Sequence, residues 1–184
     1  HLDKDIKKFL TYKHATPKFR LAMTVCMEHI TAVMAEYALT HPHMTEPMDD
    51  RIQELILWHA VEEIEHKSVA FDVYMQTEGD QKYLRRVMAF ITVMFSLRIS
   101  AYMVAILWWA KKMPSFKDIK EMTSFFWAKK GMIRRIRKPY MDFFKKGFHP
   151  WDHANQHLVE QWLSEHYRPE HDLGALKEVS RQAG

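Results

Sequence analysis

The chain has 184 residues, of which 47% are hydrophobic, with a formal net charge of +4 and only 5 glycines and 7 prolines. That length suits one domain with a sizeable core, and the scarcity of turn residues favours an all-α architecture over a strand-and-turn one. A single cysteine, Cys26, excludes an intramolecular disulfide and fits a reducing compartment.

The chain opens with His1 rather than Met and shows no signal-peptide pattern, so omission of upstream residues or processing is expected. A polar stretch from Asp3 to Lys8 leads to Phe9 and Leu10. A break follows at Thr16-Pro17, where Thr16 suits an N-cap and Pro17 the first helical turn. One helix is expected from Lys18 to Leu39, its inward face drawn through Leu21, Val25, Glu28, Ala32 and Ala35. A carboxylate amid small and apolar neighbours is unfavourable without a partner. Glu28 is therefore either a surface residue beside His29 or a ligand facing an adjoining helix.

His41, Pro42, His43 and Pro47 mark a loop whose histidines lack helical spacing and read as surface. Residues 49–76 are expected to form a second long helix, closed near Gly79 by a left-handed cap. Within it His59, Glu63 and His66, at offsets of four and seven, fall within roughly a 60° sector. Leu55, Ile56, Ala70 and Val73 share that sector, so it is expected to face a core. Two imidazoles and a carboxylate turned inward need compensation for lost hydration, and a divalent metal supplies it most simply. The alternative is an ordinary surface helix in which Glu62, Glu65 and Lys67 are solvated charges.

Residues 87–110 form an apolar run with Arg98 as its only charge. A membrane span is long enough, but an arginine near the middle costs about 2.5–3.5 kcal/mol. A helix buried in a large helical domain, or one lying against a membrane, fits the run better. Residues 111–146 hold twelve Lys or Arg against three acids, interleaved with aromatics such as Phe125, Trp127 and Tyr140. This pattern is either a solvated basic helix pair or a surface for an anionic membrane; nucleic acid is not expected, because no binding motif is visible. The last helix is expected to open at Gly147–Asp152 and to carry His153, His157 and Glu160 at offsets that echo the central spacing, which read as a solvent-facing side rather than a second half-site. The expected organisation is one helical domain over 1–184: a metal-site pair at 18–78, apolar and basic-aromatic helices at 81–148, and a C-terminal helix and tail at 149–184.

The run Trp58-His59-Ala60-Val61-Glu62-Glu63-Ile64-Glu65-His66-Lys67, continued by Val69-Ala70-Phe71-Asp72-Val73-Tyr74, resembles the signature of the predicted metal-dependent hydrolase family of the ferritin-like superfamily. Met27-Glu28-His29-Ile30-Thr31 and Phe148-His149-Pro150-Trp151 fit the same family. The resemblance implies a ferritin-like helical bundle in which Glu28 is a lone carboxylate ligand and Glu63 with His66 the paired motif. The spacing of His59, Glu63 and His66 is also similar to that of aminobenzoate N-oxygenase-type di-iron enzymes, which implies a further ligand role for His59. A complete site needs a second such set, and residues 1–27 offer only Asp3 and Asp5 as acids. The bundle is therefore expected to be incomplete at its N-terminus, or completed across a homodimer, or to have lost its metal.

The expectation is an enzyme with two iron ions, manganese or zinc being alternatives. It would be an oxygenase, oxidase or hydrolase acting on a small organic or lipophilic substrate. A non-catalytic helical protein on a membrane surface is the other reading. The place expected is the cytoplasm, peripheral to the inner face of the membrane.

Overall fold

The computed structural model describes residues 16–129 and 131–166, and every regular element among them is helical. Helix α1 spans Pro17–Thr40 and starts as the sequence predicts. The Thr16 hydroxyl accepts from the Phe19 N–H at 3.2 Å, and Pro17 occupies the first turn, where its missing N–H costs nothing. After a 3₁₀ turn at Pro42–Met44, α2 runs Asp50–His66, with Asp49 accepting from the Arg51 N–H at 3.1 Å.

The helix expected to continue to residue 76 stops at His66 and restarts as α3, Val69–Thr77. Neither Gly nor Pro explains the break at Lys67-Ser68; a distant segment does. The Lys67 ammonium, 4% exposed, turns inward and donates to the His153 carbonyl at 2.7 Å and to Asn155 Oδ1. Ser68 Oγ accepts from Trp151 Nε1 at 3.0 Å, and the Lys67 ammonium lies 4.1 Å from the Trp151 ring centroid. The stretch around 148–155 thus docks on the junction. Gly79, at φ +64°, ends α3 by donating its N–H to the Tyr74 carbonyl at 3.1 Å, the left-handed cap read from the sequence.

Helix α4 is Gln81–Trp109, α5 Phe116–Trp127, α6 Met132–Asp142, and α7 Gln156–His166. Helix α1 is the hub, packing on α2, α3, α4 and α6, while α7 covers α2. One core joins Val25 and Cys26 of α1 to Phe71 and Tyr74 of α3, Leu84 and Met88 of α4, and Phe143 and Phe148. A smaller one joins Ala35, Val61, Ile64 and Val159. Side chains as buried as Leu84 and Met88 each contribute about 1.5–3 kcal/mol by leaving water.

Two expectations fail here. His153 precedes α7 instead of belonging to it, so it shares no helical face with His157 and Glu160; its ring is held by Asp142 at 3.2 Å. Helix α4 is not buried in the chain either, because α1 covers only its first half. Leu84, Val87, Met88 and Ile91 are buried, and nothing from Thr92 to Trp109 is.

Candidate metal centre

Helices α1 and α2 run antiparallel, because partners climb one as they descend the other: Glu28 meets Ala70, Thr31 meets Glu63, and Ala35 packs with Ala60 and Val61. This pairing brings Glu28, Glu63 and His66 into one electrostatic neighbourhood. Glu28 is half-buried, as its place on the α1 pattern suggests, and its Oε2 accepts from the Ala70 N–H at 3.3 Å. That N–H lies in the first turn of α3, where no intrahelical acceptor exists and Ser68 provides no side-chain cap. The helix break therefore supplies the donor that holds Glu28. Burial raises the Glu28 carboxyl above the ordinary carboxylate range and the Glu63 charge adds to this, whereas the Ala70 N–H and His66 pull it down.

Glu63 has both carboxylate oxygens engaged. The Thr31 hydroxyl donates to Oε2, and His59 Nε2 lies 3.3 Å from Oε1. Thr31 was not singled out in the sequence; its position three residues after Glu28 on the same helix was the available signal. The side chain of His59 is 65% exposed and that of Glu63 23%. The expectation that this sector faces a core is therefore overturned. Leu55, Ile56 and Val73 are exposed beside it, and only Ala70 of the four predicted neighbours is buried. The reason is geometric: the covering helices, α1 and α7, take the Ala60, Val61 and Ile64 side of α2. His59 and His66 are left on the open side.

The donor types suit a divalent metal, since carboxylate and imidazole oxygens and nitrogens accept iron, manganese or zinc. Their number and placement are those of part of a site. Among the described residues no three His, Cys, Asp or Glu side chains converge as a metal would require.

A second polar cluster, unread in the sequence, lies behind Glu28. His29 is 4% exposed, packs its ring 4.8 Å from Phe143 and 5.3 Å from Phe148, and has no partner for Nε2. Burial, followed by the neighbouring His153, pushes its pKa down to about 4. In the Phe148–Trp151 turn, His149 lies 2.9 Å from Asp72 and Phe148 enters the core. His41 stacks on Tyr37 and His43 is exposed, outside any cluster with the α2 residues.

An all-helical protein with a carboxylate–imidazole set shared between two antiparallel helices is what fold and side chains define. Residues 1–154 match the model of the family described as predicted metal-dependent hydrolase, so the chain belongs to that family, whose description implies a metal cofactor. No curated protein and no solved structure matches the chain significantly.

Proposed function

We propose that the protein is a metal-dependent hydrolase whose metal is held by Glu28, Glu63 and His66, with His59 as a further ligand. What supports this is the pairing of α1 with α2: Glu28 accepts from the Ala70 N–H, and Thr31, three residues further along α1, donates to Glu63, with His66 three residues beyond Glu63 on α2. A metal there supplies Lewis acidity and a hydroxide nucleophile near neutral pH, and a pair of irons would add the capacity to activate oxygen. The Ala70 N–H and the Thr31 hydroxyl orient the two carboxylates. These outer bonds fix ligand geometry in the way supporting hydrogen bonds do around metals generally.

The set is one half of a ferritin-like di-metal centre on this reading. The other half comes from outside residues 16–166, as upstream chain or as a second copy seated on the open side of α2. Iron is the metal favoured by mixed carboxylate and imidazole ligation, with manganese or zinc as the alternatives. The exposed apolar residues beside the site, such as Leu55 and Ile56, favour a lipophilic substrate or the covering helix.

Elemental analysis tests the assignment. Bound metal is expected in the purified protein or in a form extended upstream, and Glu63→Ala or His66→Ala should abolish it together with chelator-sensitive hydrolysis of an ester substrate. Metal content unchanged by either substitution would overturn the assignment.

A further inference from the structure

Beyond Thr92 the chain leaves the core and returns with α6, which packs back on α1. The base of this excursion is closed by Thr92 Oγ1 and Tyr140 Oη, 2.7 Å apart. Of the described residues between them, only Gly131 and Met132 are buried. Large apolar side chains stand in the open instead: Leu97, Ile106, Trp108, Trp109, Phe116 and Trp127 are each more than three-fifths exposed. A patch of that extent marks an interaction surface.

Charge identifies the partner. Residues 93–139 hold 11 Lys or Arg and 2 acids, a formal +9, while the whole chain is +4, so the remainder is −5. A second copy would bring two such basic surfaces together. A nucleic acid would leave the aliphatic length of α4 in water. An anionic lipid surface satisfies both characters at once.

Topology decides how the excursion meets that surface. Among the described residues helix α4 alone is long and apolar enough to cross, with a mean hydropathy of 1.9 and 6% of that window buried. Had it crossed, the chain would have to cross again to bring Tyr140 back to Thr92. The return path is α5, whose twelve residues include Lys117, Asp118, Lys120 and Glu121, and α6, which carries Arg134, Arg137 and Lys138. Neither can traverse hydrocarbon. Both ends of the excursion therefore stay on one side. Arg98 fits this arrangement, donating to the Tyr102 hydroxyl at 2.8 Å along the helix surface.

We infer that residues 93–139 form an interfacial anchor that lies in the headgroup boundary of an anionic bilayer without crossing it. The apolar side of distal α4 and α5 sinks towards the acyl chains, with Trp108 and Trp109 at the polar edge. The lysines of the α4–α5 turn and the basic residues of α6 meet lipid phosphates.

The test is flotation of the full chain with vesicles of phosphatidylcholine containing phosphatidylglycerol, against phosphatidylcholine alone. Binding is expected to favour the anionic vesicles and to weaken with salt. Lys111→Gln and Lys112→Gln should each lower affinity about fivefold. Trp108→Ala with Trp109→Ala should lower it by about tenfold or more while leaving thermal unfolding and metal content unchanged. Absence of flotation, or self-association abolished by the tryptophan substitutions without vesicle binding, would overturn the anchor. Ala110→Cys reports the depth. Labelling by an impermeant maleimide from the side of addition is expected, and protection until detergent is added would show a span and refute the interfacial arrangement.

Discussion

His29 makes the packing of this protein sensitive to acid, and the size of the effect follows from its surroundings. Its ring is held neutral down to about pH 4 in the folded chain, against an ordinary value of 6.5. The unfolded chain takes up a proton that the folded chain refuses, so stability falls as pH drops from about 6.5 towards about 4. Linkage gives a loss of about 2 kcal/mol at about pH 5 and of about 3.4 kcal/mol once both states are protonated. His29→Phe removes the titration while keeping a ring against Phe143 and Phe148. Nε2 has no partner to lose, but the ring nitrogens leave the favourable neighbourhood of the Tyr140 and Pro139 backbone, at a cost of about 1 kcal/mol independent of pH. The variant should therefore be less stable than the wild type at about pH 7 and more stable at about pH 5. Urea unfolding of chelator-treated protein at both pH values measures this, the chelator removing any contribution from ligation at Glu28. Two stability–pH curves that stay parallel would refute the reasoning.

Lys67→Met keeps most of the buried stem but leaves the His153 carbonyl and Asn155 Oδ1 without a donor, and should destabilise the fold by about 2–4 kcal/mol in urea unfolding. Equal stability of variant and wild type would mean that the ammonium does not hold the 148–155 segment. Burial pushes the Cys26 thiol up to about 12, and its S–H points at the Leu84 carbonyl at 3.8 Å. Cys26 should react with a disulfide reagent only after unfolding. Stoichiometric labelling of native protein within seconds would contradict that.

Local signals were legible where local chemistry decides. Thr16, Pro17 and Gly79 read as helix punctuation because a cap hydroxyl, a missing N–H and a positive φ act within a few residues. The half-burial of Glu28 was visible in the spacing of its small neighbours. The break at Lys67-Ser68 was not visible, because its cause lies some 85 residues away in Trp151, His153 and Asn155. The same blindness placed His153 in α7 and the His59 sector in a core. Periodicity shows which residues share a face, but only tertiary packing shows which face is covered. For α4 the composition announced an apolar helix; how much of it α1 could cover was set by the size of the body.

The clasp between Thr92 and Tyr140 also bears on how freely the intervening sequence can change. For a flexible chain, the entropy of joining two ends grows only with the logarithm of the length between them, so closing 47 residues costs about 2 kcal/mol more than closing five. That difference is no larger than the burial of one side chain such as Met88. The body can therefore carry the excursion as an insertion at small thermodynamic expense. Substitutions in distal α4 and in α5 answer to the solvent they face more than to the stability of the helices that hold Glu28 and Glu63, whereas α6 packs on α1.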